Sequence, residues 1–95
     1  MQPFPHHYTV GASLVGDGLA TLTSTGVRPL ETAPPTEFGG PGDCWSPESL
    51  LIAAAVDCFM LTFRGIAGAS KYAWSQLECK ADGVLERVDG VTRFT

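Results

Sequence analysis

From Ser46 to Phe63 the chain reads Ser-Pro-Glu-Ser-Leu-Leu-Ile-Ala-Ala-Ala-Val-Asp-Cys-Phe-Met-Leu-Thr-Phe, and this stretch constrains the fold more than any other. It opens as a helix does. Ser46 is a good N-cap, Pro47 suits a first turn in which its missing N–H costs nothing, and Glu48 complements the positive helix end. Apolar residues then recur on every side. Leu51, Ala54, Ala55, Cys58, Leu61, Thr62 and Gly65 share one face, and Leu50, Ile52, Phe59 and Phe63 cover much of the remainder. The pattern predicts a helix to about Ala67, with Gly65 and Gly68 marking its end. A helix apolar nearly all round is buried on nearly all sides. A chain of 95 residues has too little other structure to do that alone, so the pattern predicts an oligomer. The continuous apolar run, residues 50–63, is 14 residues long and contains Asp57. It is too short to span a bilayer and reads as a core helix.

The flanking sequence reads as strands. Residues 7–15 carry β-branched and aromatic residues, with Gly11 marking a bulge; Gly16-Asp17-Gly18 is a hairpin turn; residues 19–24 alternate as a second strand. Thr25-Gly26 turns the chain into a third strand over 27–32, which Pro29 confines to an edge. Residues 33–45, with Pro34-Pro35, Gly39-Gly40 and Pro41-Gly42, form a loop without regular structure, while Phe38 and Trp45 argue that it packs onto the domain. Residues 74–86 alternate Leu77, Cys79, Ala81 and Leu85 against Glu78, Lys80, Asp82 and Glu86, predicting a long half-exposed strand with Cys79 inward. Asp89-Gly90 then starts a hairpin whose return strand begins at Val91.

The net charge of −4, with Arg28, Arg64, Lys71, Lys80, Arg87 and Arg93 scattered, argues against nucleic acid or an anionic membrane as partner. The N-terminus has neither the basic nor the apolar region of a signal peptide. Three cysteines, an odd number, make no disulfide framework, so the expected compartment is the reducing cytoplasm, where a thiol matters through its reactivity. His6 and His7 with the cysteines lack metal-ligand spacing, so no metal or other cofactor is expected. Cys58 is the residue to weigh. A thiol on an apolar helix is most often a small hydrophobe in a core. Against that, it follows Asp57 directly and lies ten residues after Glu48. A continuous helix sets Glu48 and Cys58 about 15 Å apart along its axis. They meet only if the helix is interrupted or if a second chain supplies one of the pair, which places the expected site at a dimer interface.

Phe38-Gly39-Gly40-Pro41-Gly42, Trp45-Ser46-Pro47-Glu48-Ser49-Leu50-Leu51 and Ala53-Ala54-Ala55-Val56-Asp57-Cys58-Phe59 together resemble the OsmC/Ohr family of thiol-dependent peroxidases, which reduce organic hydroperoxides in oxidative-stress defence. Pro47, Glu48, Leu50 and Cys58-Phe59 match its Pro-Glu-x-Leu to Cys-Phe pattern in type and spacing. The resemblance runs from about Tyr8 to Thr95. It implies an α+β fold: an N-terminal antiparallel β-meander, a long buried central helix, further antiparallel strands, and an intertwined homodimer. The chain would be a single OsmC-like domain over 1–95, lacking the C-terminal part of the family fold. Cys58 would be the peroxidatic thiolate, Glu48 would orient an arginine, and Phe38, Trp45, Phe59 and Phe63 would receive the alkyl part of the hydroperoxide. An external thiol, such as a dithiol, would be the reductant.

Two departures qualify the likeness. The hairpin that holds the family's arginine reads Val15-Gly16-Asp17-Gly18 here, which leaves Arg28 as the candidate cation ahead of Arg93 and Arg64. The family's resolving cysteine has no counterpart, and neither Cys44 nor Cys79 is at its position. Two other readings therefore stay open: a non-catalytic OsmC-like protein that binds a small apolar ligand at the dimer interface, and an inactive fragment of a longer protein.

Overall fold

The computed structural model describes residues 2–95, which divide into two compact units, residues 2–47 and Glu48–Thr95. Together they make a mixed α+β chain of antiparallel sheets and one long helix.

The first unit holds three short strands, β1 (Gly11–Leu14), β2 (Ala20–Thr23) and β3 (Leu30–Thr32), in the order β1-β2-β3. The Gly16-Asp17-Gly18 turn forms as expected: Gly16 has φ +52° and the Gly18 N–H donates to the Val15 carbonyl at 2.9 Å. β1 is shorter than the predicted 7–15. Its register pairs Gly11 with Thr23, and the chain then turns away through Thr25-Gly26, so earlier residues meet no partner strand. Upstream, the Ser24 hydroxyl donates to the Thr9 carbonyl at 3.0 Å. Gly11 sits in ordinary register and makes no bulge; a Cβ there would lie 3.0 Å from Thr23 Oγ1. β3 begins only at Leu30, after Pro29, and lies at the sheet edge.

The loop over 33–45 is more ordered than its composition suggests. Thr36–Phe38 form a single 3₁₀ turn that ends at Gly39, in the left-handed region at φ 87°. Thr32 bridges to Trp45, and the Ala33 N–H donates to the Trp45 carbonyl at 3.1 Å. Thr32, Ala33 and Ser46 are buried. Gly40 admits no side chain, because a Cβ there would lie 1.6 Å from the Pro34 carbonyl oxygen. Phe38 and Trp45 do not bury: they are 61% and 49% exposed.

The second unit is built on α1 (Pro47–Ala69), 23 residues without interruption. It runs through Gly65 and Gly68, the expected stops. The terminator is a Schellman motif: the Tyr72 N–H donates to the Ala67 carbonyl (2.8 Å) and the Lys71 N–H to the Gly68 carbonyl (3.2 Å), with Lys71 left-handed at φ 55°. A side chain in that conformation costs about 1–2 kcal/mol. Lys71→Gly is therefore expected to stabilise the chain by about 0.5–1 kcal/mol after the entropy of the added glycine is subtracted. A urea midpoint unchanged or lowered by the substitution contradicts this.

β4 (Leu85–Val88) and β5 (Val91–Phe94) form the second sheet, joined by Asp89-Gly90 with φ 52° and 78°, the positive pair a tight hairpin requires. The long strand expected over 74–86 is not formed. β5 pairs with β4 only as far as Leu85 opposite Phe94, and one further bond runs from the Thr95 N–H to the Val84 carbonyl at 2.8 Å. Earlier residues have no ladder, and Cys79 is exposed instead of inward.

Candidate functional site

Positions along α1 separate by their cover. Ile52, Val56, Met60 and Phe63 are half-buried and Ala67 is buried. These belong to one side of the helix. Ile52 packs against Gly83, where a Cβ would lie 2.3 Å from its Cδ1, and the Phe63 ring meets Trp74 edge-on at 5.4 Å. Leu51, Ala54, Ala55, Cys58, Phe59, Leu61, Thr62, Gly65 and Ile66 make up the other side and are exposed. The face that the sequence marks as continuous is thus the one the single chain leaves bare, and the expected burial of the helix is not achieved within it. Ala33 and Ala67 are the buried apolar residues among those described.

Cys58 lies within the bare face, its Sγ 3.9 Å from Thr62 Oγ1 one turn further on. Glu48 is on the first turn, about 15 Å away along the axis and about 80° round it. Since α1 is unbroken, one copy of the chain does not bring the two together. Glu48 Oε1 is buried with no hydrogen-bond partner among the described residues. A buried acceptor in that state calls for a donor.

The remaining expected residues are dispersed. Arg28 is exposed on the connection between the Gly26 turn and β3. Arg93 sits on β5 opposite Glu86, and Arg64 projects about 120° round α1 from Cys58. Phe59 is exposed beside Cys58, whereas Phe63 is about 140° away from it and engaged with Trp74. Leu50, Ala53, Ala54, Val56, Asp57 and Met60 line an open groove of about 470 Å³, with Asp57 the charged residue in it. The residue types of Ala53, Val56 and Met60 do not mark them as groove-lining; their one signal is helical spacing around Asp57.

Cys44 is half-buried in the glycine-rich loop. Burial raises its thiol above the ordinary range, and a hydrogen bond to the Asp43 carboxylate (3.6 Å) and the charges of Asp43 and Glu31 push it the same way. A raised thiol stays protonated to higher pH. In a Cys58→Ser/Cys79→Ser chain, the alkylation rate of Cys44 is therefore expected to rise at a pH above that of a free cysteine, and Asp43→Asn is expected to lower that pH. A profile that does not move with Asp43→Asn contradicts the assignment. Among the described residues no group of His, Cys, Asp and Glu is placed to hold a metal ion.

No family model matches the chain, and no solved structure does. A curated relative does: the chain is 26% identical over 91 residues to a protein of Bacillus subtilis (strain 168) described as "Uncharacterized protein YmaD". The match covers 94% of this chain but 60% of that protein.

The length of α1 also corrects the reading of the apolar run. At 23 residues it is long and apolar enough to cross a membrane, whereas the 14-residue core of the run is not. Soluble core helices meet the same criterion. Asp57 near the midpoint opposes insertion, by about 2.5–3.5 kcal/mol for an aspartate at a bilayer centre.

Proposed function

We propose that the chain is an OsmC-like, cysteine-dependent peroxidase acting on organic hydroperoxides, working as a cytoplasmic homodimer. The observation that carries the reading is the placement of Cys58 on a bare apolar face of an unbroken helix whose first turn holds an unpaired, buried carboxylate oxygen. A second copy covering that face surrounds Cys58 with apolar side chains, Phe59 among them, suited to the alkyl part of a hydroperoxide. The unpaired oxygen of Glu48 suits a guanidinium, and Arg28 is the candidate. In the reaction the Cys58 thiolate attacks one peroxide oxygen. An S–O bond forms, the O–O bond breaks, and the alkoxide leaves as the alcohol after taking a proton. The sulfenic acid left on sulfur is reduced by an external thiol, which forms a mixed disulfide and releases water. A second thiol releases the enzyme thiol and the reductant disulfide. The direct test is turnover of cumene hydroperoxide with dithiothreitol, comparing the wild type with Cys58→Ser.

The open groove around Asp57 favours a second reading, a non-catalytic protein that holds a small apolar molecule. Binding of a fluorescent fatty acid, weakened by Ala53→Trp and indifferent to Cys58→Ser, in a chain without peroxidase turnover, supports that alternative.

A further inference from the structure

Around Cys58 the side of α1 that carries it is apolar, with Ala54, Ala55, Phe59 and Leu61 as neighbours, and Thr62 brings the hydroxyl. Thr62 Oγ1 lies 3.9 Å from Cys58 Sγ, set there by the four-residue spacing of the helix. That separation is too long for a strong bond between the two atoms, but it fits an oxygen held between them. A near-attack pose sets reacting atoms about 3–3.5 Å apart, and a hydroxyl donates to an oxygen at about 2.7–2.8 Å. With the 3.9 Å side fixed, those lengths put the angle at the peroxide oxygen near about 80°, sharp for a hydrogen-bond acceptor. The angle widens as the S–O bond forms, and it passes 90° once the oxygen is within about 2.8 Å of sulfur. The hydrogen bond therefore strengthens along the reaction, and only an interaction that does so lowers the barrier.

We propose that Thr62 is a catalytic residue of the Cys58 site: its hydroxyl donates to the peroxide oxygen that Cys58 attacks, and then to the same oxygen in the sulfenic acid. The inference rests on the peroxidase reading of Cys58. The thiolate gives an electron pair to that oxygen, the O–O bond breaks, and its pair leaves on the alkoxide, which takes a proton from water. Thr62 keeps its own proton throughout. Its part is to orient and polarise the attacked oxygen where the neighbouring side chains supply no other donor. Afterwards it fixes the direction in which the sulfenic oxygen points. The reductant thiol approaches sulfur opposite the departing oxygen, so that direction also sets the line of its attack. The rival role for a threonine inside a helix is to donate to the carbonyl four residues back, which needs no substrate.

A parent chain carrying Cys44→Ser and Cys79→Ser retains Cys58 as its thiol. Adding Thr62→Val removes the hydroxyl and keeps the shape. With one equivalent of cumene hydroperoxide and no reductant, loss of the Cys58 thiol is expected to slow about tenfold or more in Thr62→Val and to return to within about threefold of the parent in Thr62→Ser. Iodoacetamide brings no peroxide oxygen, so its alkylation of Cys58 is expected to stay within about threefold across the three chains. Thr62→Val as fast as the parent, or Thr62→Ser as slow as Thr62→Val, overturns the role of Thr62 and leaves the peroxidase reading standing. Alkylation slowed as much as peroxide reduction overturns it as well, because the hydroxyl then acts on the thiol and not on the peroxide. A parent chain whose thiol is not consumed by the hydroperoxide ends the peroxidase reading and this inference with it.

Discussion

Cys58→Ser is expected to lower turnover of organic hydroperoxides by about 10³-fold or more, because it replaces the attacking sulfur with a hydroxyl that stays protonated at neutral pH. Cys44→Ser and Cys79→Ser are expected to leave the rate within about twofold, because neither thiol is assigned a step and surface changes of this size are mild. Arg28→Ala should fall between, losing about 10²-fold, the usual effect of removing one group that stabilises developing charge. A sulfenic-acid trap such as dimedone should label the wild-type chain at Cys58 after one equivalent of hydroperoxide and leave Cys58→Ser unlabelled. A Cys58→Ser chain that retains its turnover, or a wild type with none under these conditions, ends the peroxidase reading. Full activity in Arg28→Ala ends only the role of Arg28, and Arg64→Ala and Arg93→Ala then become the next comparisons.

Local chemistry was the most legible layer of the sequence. The Asp-Gly and Gly-Asp-Gly turns, the edge position forced by Pro29 and the start of α1 at Pro47 each depend on a few neighbouring residues, and each is where those residues predict. Extents that depend on a partner strand were not legible. Residues 74–84 have the alternation of a strand, but alternation supplies side-chain faces and no hydrogen-bond partner; β4 starts where β5 can reach it. The helix terminus escaped for a related reason. Gly65 and Gly68 are plausible stops by composition, yet the chain reverses at Lys71, because a Schellman motif needs one left-handed residue and lysine adopts it at modest cost. As for the site, the sequence placed Glu48 and Cys58 on one helix and implied that they do not meet within it. It carried no sign that one side of α1 would be partly covered by Gly83 and Trp74 and the other left bare.

That bare side makes Leu51→Glu the most informative change to the assembly. Leu51 is 56% exposed in the single chain and lies on the midline of the apolar face near its N-terminal end, one turn before Ala54 and Ala55 and two turns before Cys58. On a monomer, a glutamate at so exposed a position changes stability by no more than about 0.5 kcal/mol. In a homodimer that buries this face, each interface takes in two unpaired carboxylates, each costing about 3 kcal/mol or more. The sum, about 6 kcal/mol, weakens dimerisation by about 10⁴-fold. The same substitution is thus nearly silent under one description and decisive under the other. We expect the wild type to sediment as a dimer at micromolar concentration, with a thermal midpoint that rises with protein concentration, as linkage between folding and association requires. Leu51→Glu should sediment as a monomer with a lower, concentration-independent midpoint. The linkage also reaches chemistry: if the second copy completes the surroundings of Cys58, Leu51→Glu should lose peroxidase turnover in proportion to the dimer lost, with partial recovery at high protein concentration. A Leu51→Glu chain that sediments and melts like the wild type removes this face from the interface, and with it the placement of Cys58 between two copies.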